Sequence, residues 1–322
     1  MNSKQPCILN PIEILSVSKR IGKINALNGI SFSVSPGDIF GFLGPNGAGK
    51  TTTIRIILGL LKPTTGQVRL WNEDPWENSF SIKSQIGVVL DEPGLFEHVS
   101  LIENLIFYGK LYKLKKNTMI ENIDNILSYF NLIDRKNDKV GSFSKGMKKK
   151  AALARALLVQ PKLLIMDEPT AGLDPESSKE LRDKIKDIAQ VHKVTVFFSS
   201  HNLDEVDKIC NRIAIIHRGN IIALGDIQTV RDSPSSFKKK MRFSEKQDVE
   251  KIKNMVIDIL PVDMKITFDY HNDLFTVLSD KEADTSLLIA ALTSNGLKIK
   301  EIYDEKASLE EVYLKCIKEA EG

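Results

Sequence analysis

Residues 44–51 read GPNGAGKT. The octet fits G-x-x-x-x-G-K-[ST] and stands between the apolar run DIFGFLG (38–44) and the helix-period stretch TTTIRIILGLL (51–61), the strand–loop–helix setting this pattern requires. Gly44, Gly47 and Gly49 let the backbone wind closely enough for its N–H groups to surround phosphate oxygens. The helix that follows points its positive end at the same anion. Lys50 is placed to reach the β- and γ-phosphates of a nucleotide, and the Thr51 hydroxyl to ligate Mg²⁺. The candidate phosphate-binding set is thus Gly44, Pro45, Asn46, Gly47, Ala48, Gly49, Lys50, Thr51 and Thr52.

Further along, KLLIMDEPTAGLD (162–174) ends an apolar run in Asp167 and Glu168. Open α/β sheets collect ligands outside the carboxyl ends of their strands, so both carboxylates are expected at the phosphate crevice. Asp167 is the natural partner of Mg²⁺, and Glu168 the natural general base for water attacking the γ-phosphate. Asp174-Pro175 then opens a helix as N-cap and first-turn proline. His201, directly after TVFFSS (195–200), is a candidate to hydrogen-bond the γ-phosphate or the attacking water. His98, His192, His217 and His271 lack ligand spacing.

Around these motifs, short branched runs alternate with helix-period stretches. ISFSV (30–34), QVRLW (67–71), QIGVVL (85–90), KLLIMD (162–167), TVFFSS and IAIIHRGNIIALG (213–225) read as strands. Several are apolar on consecutive residues, as strands buried on both faces of a parallel sheet must be. The alternation predicts an α/β unit. LIENLIFYGKLYKLKK and MIENIDNILSYFNL predict a mostly helical insertion at about 98–160, and RDSPSSF (231–237) a linker. Beyond it, FKKKMRFS, a helix over EKQDVEKIKNMVIDIL, strands MKITFDY and LFTVLS, a helix over ADTSLLIAALTSNG, strand LKIKEIY and a last helix over SLEEVYLKCIKE predict a small α+β domain of ferredoxin-like βαββαβ order. The expected division is 1–230 and 231–322.

Length and composition agree. The 322 residues suit about two domains at ~100–200 residues each. The 45 basic and 42 acidic side chains nearly cancel, which excludes a general nucleic-acid binder, and 42% hydrophobic residues exclude a disordered chain. Residues 1–230 carry a net +6 and the rest −3, a sign change at the same boundary. Cys7, Cys210 and Cys316 are too few and too far apart for a zinc site or a disulfide framework, which suits a reducing compartment. No apolar run reaches the ~18 residues of a membrane span, and the start MNSKQPCILNPIEIL is a poor secretory signal. The expectation is a cytosolic chain.

The order of motifs resembles the nucleotide-binding subunit of an ATP-binding-cassette (ABC) transporter, a P-loop NTPase with a helical subdomain. FSKGM (143–147) holds the place of the family's signature loop, with Ser144 and Gly146 matching its LSGGQ and Lys145 and Met147 replacing a glycine and the glutamine. AGLD (171–174) and the switch histidine, His201, also match, and the likeness spans about residues 8–230. IGVVLDEPGLFEHVSLIENLIFYGKLY, the altered signature and the ending ASLEEVYLKC resemble subunits of ABC-2-type exporters in particular.

The resemblance implies Mg²⁺-dependent ATP hydrolysis coupled to transport. Two such subunits, as a homodimer, would close head-to-tail with ATP between one phosphate loop and the other's Ser144, Lys145, Gly146 and Met147. Ser144 and the Gly146 N–H, at a helix start, would form the second anion site. The chain would sit at the inner face of the cell membrane, paired with a separate permease through Leu101, Leu105, Ile106, Phe107 and Tyr108. The remaining lysines of KGMKKK would form a solvated helix face.

Two positions depart from the family. Ile21 stands where an aromatic usually stacks on adenine, a contact worth ~1–3 kcal/mol. Asp91 stands where a glutamine usually reaches the metal and water; an aspartate can also ligate Mg²⁺, with a different charge. Other readings are a soluble cassette ATPase of translation or repair, which would carry a second cassette or a coiled coil, and a module that closes on ATP without turnover. The transported substrate is not written in this chain.

Overall fold

The computed structural model describes residues 9–77, 79–231, 237–243, 274–279, 285–305 and 308–321. The chain divides into two compact units between Ile227 and Gln228.

The first unit begins with an antiparallel hairpin, β1 (Ile12–Ile21) and β2 (Ile24–Val34), in which Ile12 pairs with Val34. Strand β3 (Ile39–Leu43) leads through the glycine loop into α1 (Lys50–Ile57). β4 (Thr65–Arg69), α2 (Ser79–Lys83) and β5 (Ile86–Val89) follow. Three helices fill the insertion: α3 (Leu101–Leu111), α4 (Lys116–Tyr129) and α5 (Lys145–Leu157). Ser100 starts α3 through a capping box with Glu103. β6 (Leu163–Asp167), α6 (Pro175–Gln190), β7 (Thr195–Ser200), α7 (Leu203–Ile209), β8 (Arg212–His217) and β9 (Asn220–Asp226) complete the unit, and α8 (Ile227–Arg231) lies at the division.

Six strands form one sheet in the order β5-β6-β7-β3-β8-β9, parallel throughout except for the β8–β9 hairpin. Every residue of β3, β6 and β7 is buried. That explains their mainly apolar runs, because both faces of this parallel sheet are covered. A second sheet, β2-β1-β4, is antiparallel. Its strand β2 lends Phe32 to a stack with Phe40, Phe42 and Phe197 of the large sheet, with ring centroids 5.4–6.1 Å apart. These four rings tie the two sheets into one core that also takes in Ile54, Ile56 and Ile57 of α1.

The structure refines the strand pattern at three places. QVRLW does not join the parallel sheet: Val68 pairs with Ile14 in the antiparallel one. IAIIHRGNIIALG is not one strand but the hairpin β8–β9, turning at Arg218-Gly219, both with positive φ. Finally, the stretch before ISFSV is itself strand, so β2 is eleven residues long and pairs with a β1 that the apolar pattern concealed.

In the second unit, β10 (Phe237–Phe243) lies between β11 (Leu274–Ser279) and β12 (Ile299–Glu305), antiparallel to both. Helices α9 (Thr285–Ser294) and α10 (Leu309–Glu321) follow β11 and β12, and Met241, Phe243, Leu292, Leu297 and Leu309 are buried. The expected helix over 245–260, the strand MKITFDY and most of RDSPSSF lie outside the described residues. No described helix is long and apolar enough to cross a membrane.

The phenylalanine stack gives a stability prediction. Phe197 is fully buried and touches all three partners, so Phe197→Ala is expected to cost ~3–5 kcal/mol in urea unfolding of the full chain. A cost below ~1 kcal/mol would show that the rings do not join the sheets.

Candidate active site

The strand register brings the motifs together. β3 pairs with β7 so that Leu43 lies beside Ser200, and β7 pairs with β6 so that Ser199 lies beside Asp167. The glycine loop, His201 and the Asp167-Glu168 pair therefore leave the sheet side by side at its carboxyl edge. Two glycines of the loop are dictated by space and angle. A Cβ on Gly44 would lie 2.4 Å from the Ile216 carbonyl oxygen. Gly49, the N-cap of α1, has φ 114°, and its Cβ would meet Leu27 and Ala26 under 3 Å.

Lys50 is buried, and its Nζ donates to the carbonyls of Gly44 (2.7 Å) and Pro45 (3.3 Å) and pairs with Glu168 Oε1 at 3.1 Å. The other carboxylate oxygen of Glu168 lies 2.8 Å from His201 Nδ1. Glu168 has φ 48°, a left-handed conformation rare for a non-glycine residue and one that costs on the order of 1–3 kcal/mol unless its surroundings enforce it. They do: its N–H donates to the Ser199 carbonyl and hydroxyl, both at 3.2 Å, and its carbonyl accepts from the Ala171 N–H at 3.2 Å.

Asp167 is buried and takes the hydroxyl of Thr51 (2.9 Å) on one oxygen and that of Ser199 on the other. Thr51 and Asp167 thus set hard oxygen donors side by side, the donor type Mg²⁺ takes. Behind them, Glu205 of α7 is buried and accepts hydrogen bonds from Thr170 and from Ser200 (3.0 Å). Burial pushes its pKa up, against the hydrogen bonds that hold it down.

An open crevice of about 530 Å³ lies over the loop, lined by Asn46, Gly47, Gly49, Lys50, Thr51, Thr52, Asp91, Asp167 and Glu168. It also takes in Ile24, Asn25, Ala26, Arg218 and Gly219, which the motifs did not identify. These come from two hairpins seated against the loop: Gly219 N–H donates to the Ala48 carbonyl, and Asn28 N–H to the Gly219 carbonyl. The Arg-Gly dipeptide between two apolar runs was the available turn signal. Ile21 is exposed at the end of β1 and does not line this crevice, whereas Ile24 does.

Ser144, Lys145, Gly146 and Met147 are absent from the crevice lining. They form the start of α5, where Ser144 is the N-cap and accepts from the Met147 N–H at 3.2 Å. The Lys145 ammonium lies over Gly172 of the AGLD loop. Asp174 caps α6 through the Ser177 N–H at 2.9 Å.

The basic face of α5 is less solvated than expected. Lys148 pairs with Glu97 and Lys150 with Glu180, while Lys149 is buried, its pKa pulled down by burial against the pull of the Asp91 carboxylate. Of the proposed permease contacts, Leu101 and Leu105 are core residues, Ile106 and Tyr108 are half-buried, and Phe107 is exposed with Phe96 edge-on at 5.1 Å.

The chain is similar to known proteins. The profile of the ABC transporter family matches residues 27–171. The bacitracin transport ATP-binding protein BcrA of Bacillus licheniformis is 33% identical over 306 residues, covering 95% of this chain and 97% of that protein. The ABC transporter ATP-binding protein NatA of Bacillus subtilis is 37% identical, covering 66% of this chain and 87% of NatA. Among solved structures, cbiO1 from Clostridium perfringens, part of the ABC transporter complex cbiONQ, superposes with a TM-score of 0.65 at 27% identity, over 70% of this chain and 92% of that one. The ADP conformation of MJ1267, an ATP-binding cassette of an ABC transporter, gives 0.62 at 28% identity over 70% and 96%.

Buried Glu205 gives a pH prediction. A carboxyl whose folded pKa is raised adds stability below its ordinary value of 4.5 and loses it as pH rises through the folded value. Glu205→Gln removes this dependence, and the Thr170 and Ser200 hydroxyls can rotate to suit the amide. The Tm of Glu205→Gln relative to wild type is therefore expected to be higher at pH 8 than at pH 5. A Tm difference that does not change with pH would contradict it.

Proposed function

The chain belongs to the ABC transporter ATP-binding family, and we propose that it hydrolyses ATP at Glu168 to drive ABC-2-type export through a separate membrane permease. The observation that carries the reading is the Glu168 carboxylate, held between Lys50 and His201 at the mouth of the phosphate loop. A carboxylate there can take a proton from water aimed at the γ-phosphate, and the His201 ring can orient that carboxylate or donate to the phosphate. The backbone N–H groups of Gly47, Ala48, Gly49, Lys50 and Thr51 cradle the phosphates, joined by Asn46 and Thr52. In this reading Lys50 exchanges its present carbonyl partners for β- and γ-phosphate oxygens, which carry more charge.

The oxygen donors of Thr51 and Asp167 would hold Mg²⁺, with Asp91 on the same crevice as a further carboxylate. The ion would supply neutralisation of the phosphate charge as the terminal bond breaks. The crevice lacks the Ser144–Met147 loop, so a second copy closing head-to-tail would add it: Ser144 Oγ and the Gly146 N–H at the start of α5 offer an anion site without which each crevice is open on one side. ATP bound between the copies favours the closed dimer, and hydrolysis releases it.

At the inner face of the membrane, the exposed Phe96 and Phe107 would meet the permease. The second unit, whose strand order and senses suit a ferredoxin-like sandwich divided from the first near residue 230, would be the accessory domain. BcrA, LnrL of Bacillus subtilis and the Nod factor export proteins are named for bacitracin transport, linearmycin resistance and Nod factor export, which favours export as the direction here.

Steady-state ATP turnover of the purified full chain tests the reading. Glu168→Gln is expected to lower kcat by ~10²–10⁴-fold, the usual worth of a general base, while nucleotide still binds. Wild-type turnover no faster than that of Glu168→Gln would overturn it.

A further inference from the structure

Lys149 sits one turn into α5, and its side chain is only 2% exposed. A buried ammonium is strongly disfavoured unless its donors are matched. Here they are matched by main chain from two other places. Nζ donates to the Asp91 carbonyl at 3.0 Å and, more loosely, to the Glu168 carbonyl at 3.5 Å. The Asp91 carboxylate is 3.7 Å away but 73% exposed, so the carbonyls do most of the matching.

A second cation of the same helix works alongside it. Arg155 donates to the carbonyls of Val88 (2.7 Å), Pro93 (2.9 Å) and Gly94 (2.8 Å). Helix α5 therefore grips the whole 88–94 segment by its backbone, and Lys149 alone extends that grip to Glu168.

Glu168 is a residue whose backbone needs holding, since its left-handed φ persists only where neighbours enforce it. Its N–H is fixed by Ser199 and its carbonyl by Ala171 and Lys149. We infer that Lys149 is a positioning residue for hydrolysis: from α5 its ammonium fixes the Asp91 and Glu168 carbonyls, and so sets the Glu168 carboxylate for the attacking water. The inference rests on Glu168 being the base. Without the ammonium, residue 168 keeps one carbonyl partner and can relax out of its left-handed conformation, carrying the carboxylate with it. The phosphate loop, which Lys149 does not touch, keeps its grip on the nucleotide.

The test is steady-state turnover of the full chain with Mg²⁺-ATP, expressed per nucleotide site counted by titration with a fluorescent ATP analogue. A misplacement near 1 Å costs up to ~10²-fold, so Lys149→Met is expected to lower kcat by ~10–10²-fold with KM within about threefold of wild type. Lys149→Arg, which keeps the charge and the donors, is expected to recover most of that loss. Added to Glu168→Gln, Lys149→Met is expected to change the residual rate by less than about twofold, because residues acting as a unit are not additive. Should Lys149→Met fail to bind nucleotide, Lys149→Gln, shorter and uncharged, carries the same comparison. An undiminished kcat in Lys149→Met, a Lys149→Arg as slow as Lys149→Met, or an undiminished further loss in the Glu168→Gln background would each overturn the inference. Wild-type turnover equal to that of Glu168→Gln would instead overturn the assignment of Glu168, so the two failures read differently.

Discussion

Strands β3, β7 and β6 pair in parallel and in register, so that Leu43 lies against Ser200 and Ser199 against Asp167. Three chain segments, ending at Leu43, Asp167 and Ser200, consequently leave the sheet at one level. The Lys50–Glu168 pair at 3.1 Å and the Thr51–Asp167 bond at 2.9 Å are both consequences of that register. In a parallel sheet a slip of two residues would preserve every buried face yet move Asp167 by ~6.6 Å. The aromatic stack of Phe32, Phe40, Phe42 and Phe197 opposes such a slip between β3 and β7.

Polar groups at that edge are costly to bury and are accordingly matched. Ser199 serves both Asp167 and the Glu168 backbone, while Ser200 and Thr170 share Glu205. The two serines ending β7 break an otherwise apolar strand, and their hydroxyls connect the carboxylates of β6 to the start of α7. Each of these hydroxyls has a carboxylate partner, so the network is stiff, and stiffness helps hold Glu168 in a backbone conformation it would otherwise leave.

The helical insertion is tied to this edge by charge as well as by packing. Its last helix, α5, begins at Ser144, a position directed at a second copy in the proposed dimer, and carries Lys149 and Arg155 onto the segment between β5 and α3. That segment leads directly to Phe96, an exposed ring that packs edge-on against Phe107 of α3. One stretch of chain thus runs from the exposed Phe96 to Asp91 at the crevice, fastened to the helix that Ser144 caps.

Residue type and spacing by themselves determined the phosphate loop, the Asp167-Glu168 pair, His201 and the buried parallel strands, because each is a local pattern with a local physical cause: glycines for a tight anion-binding turn, unbroken apolar runs for double-sided burial. They did not reveal the β1–β2 hairpin, whose two strands mix buried and exposed positions with bulges that break the period. They also concealed that Leu101 and Leu105 face the core, and that Arg218 and Gly219 reach the crevice from a turn some 170 residues away from the loop. Lys149 is the clearest case. In KGMKKK it is one lysine among four, and nothing in its neighbours separates it from Lys148 or Lys150. Only the packing of α5 decides that it points inward, where the carbonyls of Asp91 and Glu168 converge, because helix periodicity orders a face but the third dimension supplies what that face meets.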